Sequence, residues 1–584
     1  MNKFKSVDME EVNLFLLGDD LERVANILFD LKLMEFFKFK KEDFQTFSAT
    51  DNSKISSELL SLRSTISYLT KFYTQDSTKT IENPIEKTLE AIKEEKELSQ
   101  KILSLEDDLR RQKVLASLKV NSQDVLDKKK IVGFIPKEDK SNLKLLKKNS
   151  KHNIVTYTLD KRVYFSVSAK STIPFSYKEF YLPKKVSLSL PLKIKELKER
   201  KETLLSKVNS IANASLSHLK KEELRLSKKA ALLENRVKFN KTDNFTVVSG
   251  YVPSTKISGL RNSLEKELGD SFELKRAKAK GDNVPTQLHN PGSSGNYESL
   301  LKMYSFPKYG EFDPTFLMFL IFPIFYGMIM GDVIYGILSL ALFSFLKTKY
   351  KQVKEFISIL QISSISSIIF GILYGEYLGF EASFFGFEFS RLADPISLLY
   401  ISLALGVLHL NLGLFIGFFQ DWGESKYHAI MDKLVWILLQ ISVASISIGM
   451  IMSISILATL GWVLFAIVAL MLVKEHGFLG ITEIPSFFTN VLSYARLMAV
   501  GLSSVVIGLL VNKYSFILLE GGIISSIFGI MLFIVGHTFN IVVGNFASFI
   551  NSLRLHYVEF FPKFYSGSGR EFKPYGSSSH PVDE

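Results

Sequence analysis

Among the 584 residues of this chain, those best placed to do chemistry are the few charges set inside long apolar runs. At the bilayer centre each costs roughly 2.5–3.5 kcal/mol or more, so a charge kept there marks an ion or substrate path. The clearest is Arg496, within Val491-Leu-Ser-Tyr-Ala-Arg496-Leu-Met-Ala-Val-Gly501. Steps of three and four back from it collect Ser493, Thr489, Ser486 and Thr482, and a step of seven forward reaches Ser503. That spacing predicts a helix with one polar face and Arg496 near the middle of its length. The final apolar run repeats the arrangement, with His537, Asn540, Gly544, Asn551 and Arg554 assigned to one face. From His537 to Arg554 such a helix covers roughly 25 Å, most of a hydrocarbon core.

A plainer account competes for each residue. Ser and Thr in membrane helices often only hydrogen-bond to neighbouring helices, and an Arg near a helix end can snorkel to the interface. For the Ser/Thr stripe alone the plainer account is the better one. Arg496 stands about a dozen residues from either end of its expected helix, which favours function, while Arg554 lies nearer the cytoplasmic end. Glu483, entering the same helix as Arg496, is the best acidic candidate. Glu376 and Glu475 are expected at interfaces, His409 as a satisfied polar residue between helices, and Asp332 as the cap of a short helix.

Other chemistries are excluded. Gly292-Ser-Ser-Gly295 and Gly567-Ser-Gly569 lack the spacing and the Lys-Ser/Thr of a nucleotide-binding loop, and neither His-Glu-x-x-His nor a nucleophile elbow occurs. No catalytic residue, cofactor site or metal site is therefore assigned. The chain has no cysteine, which removes disulfides and thiolate chemistry. A net charge of +12 invites a nucleic-acid reading, but most Lys and Arg lie on helical stretches interleaved with Glu, as on a solvated face, so no nucleic-acid partner is expected.

The elements that must position these charges follow from a composition shift. Up to about Pro307 the sequence is rich in Lys, Glu and Ser; from Phe312 to Phe561 it is mostly Phe, Ile, Leu, Gly and Ser. Apolar runs long enough to span occur at about 354–375, 395–419, 434–455, 457–474, 482–512 and 523–557. The block 313–346 is either one long helix or two short ones turning at Gly327-Met-Ile-Met-Gly331-Asp332. The basic loop Lys347–Lys354 belongs on the cytoplasmic side, so with a cytoplasmic N-terminal half the chain crosses twice before it, giving eight crossings. The acidic segment Glu376–Asp394 then falls outside, and both ends of the chain inside. No secretory signal is read at the N-terminus, where the only early apolar run, Val12–Leu17, looks like a strand.

In the soluble half, Val12–Leu17, Asp19–Leu31 and Leu33–Phe39 read as strand, helix, strand, with Asp19 or Asp20 as cap. Ile131–Pro136 and Val247–Pro253 are two later strands ending at Pro, each followed by a helix, the first with Leu143, Leu145 and Leu146. Between them, two stretches with thin apolar seams predict an antiparallel coiled-coil hairpin, an arm on the order of 60 Å long. The expected fold is thus an α-helical polytopic membrane domain of about eight transmembrane helices, the last two long, plus N-terminal cytoplasmic α+β lobes joined by that hairpin. Its boundaries are a cytoplasmic domain over 1–310, a transmembrane domain over 311–561 and a cytoplasmic tail over 562–584. Within 1–310, a proximal lobe takes 1–60 and 240–280, the arm 61–118 and 192–239, a distal lobe 119–191 and a linker 281–310.

Particular blocks resemble a known family. Pro307-Lys-Tyr-Gly-Glu-Phe-Asp-Pro314 followed by Phe322–Asp332 is similar to the start of the membrane domain in subunit a/I of V-type and archaeal A-type ATPases. Leu492-Ser-Tyr-Ala-Arg496-Leu and Ser552-Leu-Arg-Leu-His-Tyr-Val-Glu559 resemble that family's two arginine helices, and Phe564–Tyr575 its tail. The resemblance implies two offset half-channels beside a rotating ring of small subunits, each bearing one carboxylate, with Arg496 and Arg554 in ion translocation. Glu483, Ser486, Thr489, Ser493, Ser503, His537, Asn540, Asn545 and Asn551 would line the half-channels. An arginine suits the task because its pKa stays above about 12, so it pairs with a passing carboxylate without relaying the proton. Implied partners are the rotor ring, peripheral-stalk subunits contacted by the arm, and the lipid bilayer, at the plasma membrane of a prokaryote. The chain departs from the family's Gly-His-Gly after Gly-Asp, having Ile334-Tyr335-Gly336, and from a carboxylate and a His near the second arginine, having Gly544 and Asn551. Those departures leave H⁺ or Na⁺ open. A secondary ion transporter, or a membrane-tethered coiled-coil scaffold, are the alternatives. The first needs inverted repeats with matching broken helices, and the second does not need buried arginines.

Overall fold

The structure, a computed structural model, describes residues 6–577 except 18–19, 39–44, 47–52, 76–80, 82, 128, 137–153, 160–161, 169–172, 174–176, 183–188, 243–244, 270, 382–389, 424 and 478. The chain divides into two compact units, one of Met1–Phe47 with Val237–Ser578 and one built on Ser48–Arg236.

The first unit opens with β1 (Met9–Leu17), whose alternation buries Val12, Leu14 and Leu16 on one face. α1 (Leu21–Leu31) buries Val24, Ala25, Leu28 and Phe29 at helical spacing. Asp20 stands at its N-cap, but no side-chain cap bond forms there. Two short strands follow, β2 (Glu35–Phe36) and β3 (Gln45–Thr46).

In the second unit α2 (Ser53–Leu69) and α3 (Pro84–Ser117) lead to β4 (Lys130–Pro136), β5 (Val155–Leu159), β6 (Arg162–Ser168) and β7 (Lys178–Glu179). These strands form an antiparallel sheet in the order β5-β6-β4-β7. The helix expected around Leu143, Leu145 and Leu146 lies outside the described residues. The chain returns through α4 (Leu190–Asn235), 46 residues, about 69 Å at 1.5 Å each. It runs antiparallel to α2 and α3: Arg63 meets Glu223 at 2.8 Å, Arg200 meets Glu94 at 2.8 Å and Lys198 meets Glu106 at 2.7 Å. Leu62, Ile66, Leu69, Ala91 and Leu98 pack there on Leu204, Val208, Ala212, Leu216 and Leu219. The two exposed pairs with α3 contribute about 0.2–1 kcal/mol each, so the apolar seam is the main adhesive there.

Residues after 240 complete the first unit's sheet. β8 (Asn240–Lys241), β9 (Phe245–Pro253) and β10 (Phe272–Lys278), with α5 (Ile257–Leu268) between the last two, give the order β10-β1-β9-β8-β3, and β2 also pairs with β9. Every pair is antiparallel, with Val12 opposite Gly250. The stretch 281–310, read above as a linker, is tied to the C-terminal residues. Thr286 N donates to Arg570 O at 2.8 Å and Phe572 N to Thr286 O at 3.0 Å. Buried Glu311 accepts from Ser566 Oγ at 2.9 Å, and Tyr575 packs on Phe29 and Phe36. Glycine and proline content signalled irregular backbone there, but irregular backbone is not loose when its hydrogen bonds are met.

Among the described residues, six helical segments are long and apolar enough to cross a membrane: 351–374, 395–422, 426–451, 455–475, 482–519 and 523–563. Before them stand α6 (Thr315–Met330) and α7 (Val333–Lys349), followed by α8 (Lys354–Tyr374). α6 runs parallel to α8: Met318 and Phe322 share a buried cluster with Ile359, and Gly327 lies against Ser366 and Phe370. α7 runs antiparallel to α8, with Gly336 against Ile368 and Lys347 Nζ donating to Gln361 at 2.8 Å. The block 313–346 is therefore two opposed helices. Gly331 permits the turn at φ 30°, where a Cβ would sit 2.7 Å from the Tyr374 ring. Asp332 then caps α7 by accepting from Tyr335 N at 2.9 Å.

The remaining helices are α9 (Pro395–Trp422), α10 (Val435–Ile451), α11 (Ser455–His476), α12 (Leu479–Leu492), α13 (Ala495–Leu519) and α14 (Ile523–Arg554). A π-helical stretch, Ala429–Leu434, leads into α10, and another, Leu555–Phe560, extends α14.

Candidate functional site

The helix expected over 482–512 is interrupted at Ser493–Tyr494, directly before Arg496. Tyr494 stands at the interruption. Its side chain is fully buried against α9, where Gly406 leaves room for the ring and His409 Nδ1 meets the hydroxyl at 2.8 Å. Arg496 consequently lies in the first turn of α13 rather than mid-helix, although the two helices together still form one 38-residue span. Its side chain is 26% exposed. The guanidinium donates to Glu559 Oε1 at 3.3 Å and to Ser493 Oγ at 3.1 Å. Glu559 is 2% exposed, and His556 and Phe560 are buried beside it on the π-helical stretch.

The polar stripe around Arg496 faces outward. Thr482, Ser486, Thr489 and Ser503 are exposed, and Ser493 and Glu483 are half-buried. The hydroxyls of Thr482, Thr489, Ser493 and Ser503 donate to carbonyls of Leu479, Pro485, Thr489 and Ala499 in the same span, at 2.7–3.2 Å. Around them the exposed surface is apolar, including Leu492, Leu509 and Leu510, and on α14 Phe539, Phe546 and Ile550. Polar groups with a central cation on an apolar outer face are costly to leave against lipid, so this face is shaped for another protein or for water.

A second polar system is buried and enters from the opposite end. Leu378 O accepts from Asn512 Nδ2 at 2.8 Å, and Asn512 Oδ1 meets His537 Nε2 at 2.8 Å. His537 Nδ1 meets Tyr335 Oη at 2.7 Å. Asn540 Nδ2 donates to the same hydroxyl at 3.0 Å and to Ser504 O at 2.8 Å. His537 and Asn540 thus join a chain of hydrogen bonds that the sequence reading missed in part. Asn512, Ser504 and Tyr335 were overlooked. The signal existed for two of them: Gly501, Ser504, Gly508, Asn512 and Ser515 recur at spacings of three and four, and all five are buried.

Three residues assigned to the same groups stand apart. Asn545 Nδ2 donates to Ser339 Oγ at 2.9 Å and its oxygen accepts from Tyr326, so its amide ties α14 to α6 and α7. Asn551 Nδ2 donates to Ala547 O at 2.8 Å. Arg554 is exposed, off the buried face of His537, Asn540 and Gly544 to which it was assigned. The reason is the helical period: seventeen residues are about 4.7 turns at 3.6 residues each, which leaves Arg554 rotated by roughly 100°.

In the acidic segment, Arg391 and Glu376 are buried together, whereas Glu381 and Asp394 are exposed. Arg391 is fully buried and grips Glu376, itself 2% exposed, with Nε and Nη2. It also donates to Ile329 O and Gly331 O at 3.0 Å and lies 4.7 Å from the Tyr374 ring centre. His409, expected to be satisfied, is so at Nδ1 only. Among the described residues His409 Nε2, His556 Nε2 and Glu559 Oε2 are buried without a hydrogen-bond partner. His428, Asp432 and Glu475 also converge, but on an open surface.

Residues 183–394 match the V-type ATPase 116kDa subunit family. The A-type ATP synthase subunit I of Methanocaldococcus jannaschii is 30% identical over 443 residues, covering 67% of this chain and 64% of that protein. That of Pyrococcus horikoshii is 32% identical over 349 residues, covering 56% and 53%. A V-type ATP synthase subunit I of Borreliella burgdorferi is 27% identical over 354 residues, covering 54% and 58%. The chain therefore spans between about half and just under two thirds of the length of these relatives.

Proposed function

We propose, for a chain that belongs to the subunit I family of archaeal A-type and V-type ATPases, a role as the ion-translocating and stator subunit of such a complex. The observation that carries the reading is Arg496, a quarter exposed at the centre of an outward polar stripe on an apolar face. A ring of small subunits passing that face presents one carboxylate at a time. Arg496 favours its charged form, driving off the bound H⁺ or Na⁺. The stripe Glu483, Ser486, Thr489 and Ser493 lines the cytoplasmic half-channel. The chain Leu378–Asn512–His537–Tyr335–Asn540 lines the outer one. On this reading α6 and α7 cross as well, giving eight crossings with the six longer spans, and the soluble half and the tail lie in the cytoplasm. The long antiparallel helices of the second unit form the coiled-coil arm that meets the peripheral stalks and resists torque. Nucleotide chemistry belongs to other subunits.

The reading is tested by Arg496→Lys in the assembled complex, reconstituted in vesicles. Lysine keeps the charge but loses the planar fork and shifts its pKa readily when buried. ATP-driven ion uptake is expected to fall at least about tenfold with assembly intact; near-normal uptake removes the channel assignment.

A further inference from the structure

Arg496 is held in a way that suits repeated release. Its bond to Glu559 is single and 3.3 Å long, against the 2.7–2.9 Å of a strong charge-assisted pair. The contrast within this protein is Arg391, which grips Glu376 with two nitrogens and has no exposed surface. A guanidinium has five donors, and the described contacts of Arg496 use two of its nitrogens, one on Glu559 and one on Ser493. The side chain is open on the outward face, while Glu559 behind it is shut in at 2% exposure. Among the described residues its second oxygen has no donor.

We infer that Glu559 is a positioning residue, the resting partner from which a ring carboxylate borrows Arg496 and to which the guanidinium returns. The inference rests on the ring-facing role proposed for Arg496. A passing carboxylate takes up the unused donors and draws the guanidinium outward. That leaves Glu559 a buried, uncompensated anion, which is costly and pulls the arginine back once the ring advances. Without this competitor Arg496 would stay with the ring carboxylate, and release of the rotor would limit each step. The buried cluster therefore sets how long the arginine holds its substrate, a task the exposed stripe cannot perform.

The test compares Glu559→Gln with Glu559→Asp in the full complex in vesicles. Glutamine has the same size and still accepts a hydrogen bond, but it carries no charge; aspartate keeps the charge at a shorter reach. The maximal rate of ATP-driven ion transport is expected to fall about tenfold in Glu559→Gln with the KM for ATP unchanged, and to stay within about threefold in Glu559→Asp. Equal rates in the two variants, whether normal or lost, overturn the inference. So does failure of Glu559→Gln alone to assemble, since Glu559 would then be a structural anchor. Arg496→Lys serves as the control: if it too transports normally, the ring-facing role itself fails, whereas normal transport by Glu559→Gln alone sinks only the resting-partner role.

Discussion

Truncating Arg391 to alanine lowers the stability of the membrane-embedded unit by about 3–5 kcal/mol, the cost of breaking a buried ion pair from one side. The side chain has no exposed surface, and its loss strands Glu376 at 2% exposure with its charge unmatched. It also removes donors from the carbonyls of Ile329 and Gly331, which end α6 and have no helical N–H to accept. The guanidinium fixes α13 too: a Cβ at Gly501 would lie 3.0 Å from Arg391 Nη1 and 3.1 Å from Ile329 O. Unfolding of the purified protein in detergent, followed by denaturant titration, measures the effect. Arg391→Ala combined with Glu376→Ala is expected to be less destabilised than Arg391→Ala alone, because the stranded charge is gone. A loss below about 1 kcal/mol would mean that water reaches the pair.

Arg496→Ala is expected to do something that Arg496→Lys does not: open a passive ion leak through the membrane sector. On the proposed reading the two polar systems approach Arg496 from opposite ends, through Ser493 on one side and Asn540 with Ser504 on the other. A fixed positive charge between them repels cations. At an effective dielectric constant near 20, a unit charge a few ångströms away contributes a few kcal/mol. Removing about 2–3 kcal/mol from the barrier raises passive flux on the order of 10²-fold. Dye-reported proton or Na⁺ flux in vesicles carrying the membrane sector, under an imposed potential and without ATP, measures it. An Arg496→Ala sector as tight as the unaltered one would show that the barrier lies elsewhere.

Much of this was legible in the residues. Arg496 stood out because nothing cheap explains a cation amid Leu, Met and Val, and the period-3.6 count found the outward stripe. Charge in the Lys347–Lys354 loop was enough to select two helices in 313–346, which packing against α8 bears out. What escaped depends on distance in space. Tyr494, at the break, packs its ring against Gly406, eighty-eight positions earlier. Arg391 was given no role, because its partners, Glu376 and the end of α6, come together only in the folded chain. Glu559 was quoted within a motif but given no role, since its pairing with Arg496 spans two helices. Arg554 was placed on the His537 face by counting that ignored the drift of a long helix. Asn545 is held by Ser339 and Tyr326, two partners on other helices that no count along the sequence could supply.

The most direct test uses the absence of cysteine, which makes any introduced thiol unique in this chain. Thr489→Cys and Ser503→Cys bracket Arg496 on the outward stripe, and Ile451→Cys, 83% exposed at the end of α10, is the control. Each is combined in the assembled complex with a ring subunit carrying one cysteine beside its carboxylate, then oxidised. The account predicts disulfides from positions 489 and 503 to the ring, none from 451, and ATP-driven transport that stops on oxidation and resumes on reduction. Failure of both stripe positions to link, or linking at 451 to the same extent, would contradict it.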